Sequence, residues 1–328
     1  TFALPIAYFH EGLHWLVGCA STSSSEPPSW STGTAEQYPG RLFITAIGEG
    51  LSREQAEQRA FSALARVFEV NIQEESTDLS LFRQQTGESS ESINRQTSSR
   101  QLITATEQIL EGATPVEYWN EPQRHLVLVA LERRGAEQRL RQKMVQLDQQ
   151  TLGLRQYADN ASLNPVIQLS ALEQARQLQL SRAPLNRNLS VVSGKALTPP
   201  VSVAMLEQQI RDRLALLRFR LSAESELLAL LEHAVAQIGA QSQADAGLQL
   251  IGLIDREPIT QRQGWYWLRG AFQLSLSNQE GVVIAQQRWP IKVSAQQPGM
   301  IEQRLRDQTN AQIAGQLYQL VSSVQLNQ

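Results

Sequence analysis

The chain has 328 residues, of which 41% are hydrophobic, so it can fill two packed domains and is not globally disordered. A formal net charge of −3 and a pI near 5.9, with no basic block, argue against wholesale binding of nucleic acid or an anionic membrane. A single cysteine excludes an intramolecular disulfide and any zinc-type spacing. Downstream of that cysteine no stretch of about eighteen apolar residues predicts a transmembrane helix.

The cysteine lies in Leu16-Val17-Gly18-Cys19, followed by Ala20 and the Ser/Pro-rich run Ser21 to Trp30. Small and aliphatic residues before a lone cysteine, with a polar spacer after it, suit thioether attachment of a diacylglycerol to Cys19. Residues 1–19 are expected to be a lipoprotein signal peptide, although an imperfect one. His10, Glu11 and His14 interrupt the apolar run, no Lys or Arg precedes Cys19, and the sequence begins with Thr1, which fits a truncated or mis-started leader. The alternative is a free cysteine near a frayed terminus. Residues 20–40, rich in Ser, Thr, Pro and Gly, are expected to form a flexible tether.

Arg41 to Ile47 reads as a strand with both faces apolar, expected at the centre of a sheet, and Gly48-Glu49-Gly50 as the turn after it. Ser52-Arg53-Glu54-Gln55 is a capping box, and Ala56, Ala60, Leu64, Val67 and Phe68 form a helical stripe. Strand character near Val70 gives way to a polar stretch from Gln73 to Ser99; Leu102 to Val116 and His125 to Leu131 are expected to be further strands. Gly48-x-Gly50 is not a dinucleotide fingerprint, because Arg53 stands where the third glycine belongs.

Three features resemble the Lpp-twenty lipoprotein family: the strand ending in Gly-x-Gly, the run Glu54 to Ala65, and Tyr118-Trp119 ahead of Leu126 to Arg133. The N-terminal part of the flagellar assembly protein T is similar. The resemblance spans Arg41 to Gly135 and implies a small α+β domain (residues 41–135) of a cell-envelope lipoprotein, with no catalytic residues. In such lipoproteins Ala20, rather than Asp, after the cysteine implies the outer membrane, with maturation supplying further acyl chains such as palmitate.

Leu140, Met144, Leu147, Thr151, Leu154 and Tyr157 mark a long amphipathic helix, broken at Asp159 to Ser162. A second helix starts near Pro165 with Ile167, Ala171, Ala175 and Leu178 on one face. Residues 136–185 are therefore expected to form a helical hairpin, either spacer or core, and residues 186–200 a linker. Residues 201–328 read as a second α+β domain of order α-β-α-β-β-β-α, with Ser222 capping its second helix and a hairpin turn at Asn278 to Gly281. The fold class expected is α+β: two small helix-on-antiparallel-sheet domains joined by a helical hairpin.

Trp265-Tyr266-Trp267 is the leading candidate for binding. Alternation on a strand places Trp265 and Trp267 on one face, and Trp289 on the next strand is expected to join them. Arg256, Arg262 and Arg269 lie nearby and suit an anionic glycan or a partner carboxylate; packing of the aromatics against a helix is the plainer alternative. His10, His14, His125 and His233 are scattered, so no metal or triad is indicated, and Gly87 to Glu91 misses a nucleophile elbow because Ser90 replaces glycine. No cofactor is expected. The function expected is a non-enzymatic outer-membrane lipoprotein facing the periplasm, scaffolding or regulating an envelope assembly, flagellar or peptidoglycan-related, through protein contacts. The alternative is a glycan hydrolase or accessory glycan-binding enzyme.

Overall fold

The computed structural model describes residues 26–33, 35–69 and 110–326. The expected signal peptide with Cys19, the strand character near Val70, the polar stretch from Gln73 to Ser99 and the Gly87 to Glu91 near-motif lie outside the described residues.

The first unit is a three-stranded antiparallel sheet of order β1-β3-β2, with β1 at Phe43–Gly50, β2 at Ala113–Glu121 and β3 at Arg124–Glu132. Helix α1 (Arg53–Glu69) lies across one face. The central strand is β3, whose residues Leu126 to Leu131 are all buried; β1 is an edge, contrary to expectation. The apolar residues on both faces of β1 reflect cover on both faces of the sheet rather than pairing on both sides. Val127, Val129 and Leu131 pack with Ala56, Ala60, Leu64 and Phe68 of α1, whereas Leu126 and Leu128 pack with Trp30 on the opposite face. Val67 is exposed, outside the stripe.

The capping box is formed: the Gln55 amide donates to Ser52 Oγ at 3.3 Å, and Gln55 Oε1 accepts from the Leu51 amide at 3.2 Å. Gly48-Glu49-Gly50 does not turn the chain; it ends β1. A Cβ at Gly48 would collide with the backbone of Ala56 and Ala60, and one at Gly50 would sit 2.6 Å from the Ala56 nitrogen. These glycines bring strand and helix into backbone contact. The described part of the expected strand 102–116 begins only at Ala113 and continues to Glu121.

The described residues between 28 and 40, expected in the free tether, are built into this unit. Ser29–Thr32 makes a 3-10 turn that buries Trp30, and the Tyr38 ring meets Phe43 edge-on at 5.3 Å.

Helix α2 (Arg133–Ala158) and helix α3 (Pro165–Ser193) form the expected hairpin, broken at 159–164. The Asn164 side chain accepts from the Val166 amide at 2.9 Å, with Pro165 starting the helix. Residues 186–193, expected in a linker, are helical, and α3 ends at Gly194 with φ +74°. Leu185, Leu189 and Val192 keep the helix running by packing into the first core, despite Pro184 inside it.

The second unit comprises α4 (Val203–Leu216), β4 (Arg218–Ser222), α5 (Ser225–Gln237), β5 (Gln241–Ser242), β6 (Leu248–Arg256), β7 (Thr260–Arg262), β8 (Trp265–Ser277), β9 (Val283–Ala295) and α6 (Ile301–Ser322). The sheet order is β5-β4-β6-β8-β7, with β9 on β8. The long strands β6, β8 and β9 pair antiparallel, while β4 pairs parallel with β5 and β6 through the crossover of α5. Ser222 ends β4 and does not cap α5, whose first turn follows Glu224. The second core joins the sheet to α4, α5, α6 and the first half of α3.

Candidate binding site on the second sheet

Strand β8 is long enough to serve two functions along its length. Leu268, Phe272, Leu274 and Leu276 point into the second core, so period-two alternation turns Trp265, Trp267 and Arg269 to the other face. At its start β8 pairs with β7, beyond the stretch held by β6, through the pairs Thr260 with Trp267 and Arg262 with Trp265. The two turn residues, Gln263 at φ +50° and Gly264 at φ +77°, both take left-handed backbone, the geometry of a tight two-residue hairpin. On the other flank β9 places Lys292 directly opposite Arg269.

These elements enclose an open concavity of about 620 Å³, lined by Trp265, Trp267, Arg262, Arg269, Lys292 and Glu257, together with Pro258, Thr260 and Gln263. Trp265 is 37% exposed, high for an indole without a surface role. The Lys292 ammonium sits 5.1 Å from the centre of the Trp267 ring, a cation–π contact that holds it over the floor of the concavity. Among the described residues neither Arg262 nor Arg269 makes an ion pair or side-chain hydrogen bond. The lining carries three cations and one carboxylate.

Trp289 does not join this group. It pairs with Phe272, the two rings stack with centroids 5.9 Å apart, and it packs against the core on the opposite face. Arg256 turns toward α6, where it meets Glu302 at 3.0 Å. Lys292 was not singled out from sequence; its place depends on the register of β9 against β8. Elsewhere, His125 Nδ1 lies 2.8 Å from Asn120 Oδ1 and His233 is exposed on α5. Among the described residues no three His, Cys, Asp or Glu side chains are grouped to hold a metal, and no helix is long and apolar enough to cross a membrane.

A small antiparallel sheet with a helix on one face and a tryptophan plug on the other defines the N-terminal unit as a compact α+β module. Residues 28–132 match the model of the LPP20 lipoprotein family. The match begins just ahead of Trp30, in agreement with the packing of Trp30 and Tyr38 on the sheet. No curated protein matches the chain. Among solved structures, the secreted protein HP1454 from Helicobacter pylori aligns at 15% identity and a TM-score of 0.43, covering 84% of this chain and 97% of that one. A minor lipoprotein from Acinetobacter baumannii aligns at 16% identity and a TM-score of 0.28, covering 32% and 90%.

Proposed function

We propose that this chain is a lipid-anchored outer-membrane protein, facing the periplasm, that holds or regulates an envelope assembly and catalyses no reaction. The LPP20 module and the Cys19 box support attachment to the envelope. The observation that carries the holding role is the concavity at Trp265, Trp267, Arg269 and Lys292: exposed aromatic surface beside cations with no carboxylate partner. A glycosidase places two carboxyl groups across a cleft, whereas Glu257 is the one carboxylate in this lining. That favours binding over hydrolysis. Flagellar components and peptidoglycan synthesis are the clients considered.

The test is photo-crosslinking in intact cells from a probe placed at Gln263, on the rim of the concavity. An envelope component should crosslink at this site, and the R269E/K292E variant should lose it. If the same products form from a probe at Val145, on the exposed side of α2, the holding role of this face is wrong. Blocking the lipoprotein signal peptidase should leave an unprocessed form; a mature N-terminus other than Cys19 would remove the anchor.

A further inference from the structure

We propose that the concavity binds a carboxylated glycan, one sugar ring lying on Trp265 and the carboxylate held between Arg269 and Lys292. This deepens the holding role above by naming the chemistry held.

The lining decides between a sugar and a protein partner. The dry centre of a protein interface is enriched in aromatic residues and Arg and depleted of Lys and Glu. Here the apolar surface is two indoles and Pro258, and Lys292, Glu257, Gln263 and Thr260 stand among them. That mosaic matches a pyranose, which presents an apolar C–H face to an indole and a ring of hydroxyls to polar neighbours. Thr260, Gln263 and Glu257 supply donors and acceptors for those hydroxyls. The two Trp residues differ in role. Trp267 is occupied by the Lys292 ammonium, while Trp265 is the more exposed ring at the hairpin tip.

Charge selects the acidic member of the class. Arg269 and Lys292 are cross-strand partners, so their side chains leave the sheet side by side, a few ångströms apart. Two adjacent like charges repel each other, and neither has an ion pair among the described residues; an anion between them relieves both costs. The Arg269 fork can take a carboxylate through two hydrogen bonds while Lys292 adds a point charge. A neutral glycan would make the stacking contact and leave the cation pair uncompensated.

Binding of the purified full chain to three probes, followed by tryptophan fluorescence and calorimetry, tests this. The probes are peptide-free glycan strands with free lactyl carboxylates, neutral chitotetraose, and hexaglutamate. The expected order is the carboxylated strand tightest, chitotetraose at least about tenfold weaker, and hexaglutamate weaker still. Trp265→Ala and Arg269→Ala should each weaken the strand about tenfold or more, whereas Trp289→Phe, on the core face, should leave it unchanged. Equal binding of strand and chitotetraose would overturn the carboxylate assignment. Hexaglutamate binding as tightly as the strand, with no loss in Trp265→Ala, would identify an acidic protein surface instead. If no probe binds while the crosslinks above persist, the glycan proposal falls and the holding role stands. Glycan binding without those crosslinks would leave the binding site and remove the scaffold.

Discussion

At Gly48 a hydrogen is all the side chain that β1 can carry, because the α1 backbone at Ala56 and Ala60 occupies the place of a Cβ. The relief has to come from backbone, since no flexible side-chain end is in the way. Gly48→Ala should therefore lower unfolding free energy by about 1–3 kcal/mol or more, at the overpacking end of core substitutions. Gly153→Ala, on α2 with open space where its Cβ would lie, should be neutral or stabilising. Urea denaturation of the pair checks this; equal midpoints would mean the strand–helix approach is not tight. Trp30 is a second residue whose weight comes from its neighbours. Surrounded by Ser and Pro, it reads as spacer, yet it covers Leu126 and Leu128 on the face of the sheet that α1 leaves open.

Helix α3 carries charge into the interior. Arg176 is buried, with its guanidinium 2.8 Å from Glu173 and 3.7 Å from Glu207 of α4, while Tyr318 Oη of α6 donates to Glu173 at 2.7 Å. One turn and a half further on, Arg182 meets Asp148 of α2 at 2.8 Å, and Gln179 donates to Asp148 and to Thr151. Three helices, α2, α4 and α6, are thus held to α3 in one register. A buried charge without its partner is far more costly than a buried pair is favourable. Arg176→Ala takes the buried cation away from the Glu173 and Glu207 carboxylates and should cost about 3–5 kcal/mol, whereas replacing Arg176, Glu173 and Glu207 together with Met, Leu and Leu should cost less than that single change. Denaturant midpoints of the two variants decide it; a triple variant less stable than Arg176→Ala would show the network itself to be the source of stability.

Over the whole molecule α3 belongs to both cores. Ala171, Leu172 and Ala175 lie in the second, and Leu185, Leu189 and Val192 in the first. A helix shared in this way couples the two units mechanically, so they should not unfold independently. Leu189→Ala removes a buried side chain from the first core and should cost about 2–5 kcal/mol. Its effect should reach the second unit, raising amide hydrogen exchange in β8 as well as in β3. Faster exchange confined to β3 and α1 would mean that each core unfolds alone.

What the sequence alone determined were features written locally. The capping box at Ser52, the helix break at Asp159 to Ser162, the alternation that sends Trp265 and Trp267 one way and Tyr266 the other, and the α+β class each depend on neighbours within a few residues. Residue composition misled wherever burial came from distant chain. Helix α3 runs through the polar stretch expected as linker because Leu185, Leu189 and Val192 find the first core, and the segment around Trp30 is ordered for the same kind of reason. The face of β8 that carries Trp265 shows the limit most clearly. Counting outward from the hairpin turn at Asn278 to Gly281 would place Pro290 opposite Arg269, but the β8–β9 pairing shifts near Leu276 and Ser277, and Lys292 arrives there instead. A net slip of two residues keeps each β9 side chain on its own face but slides it along β8, so Trp289 lies on the core face in either register, and only the tertiary pairing could decide that Lys292 rather than Pro290 stands beside Arg269.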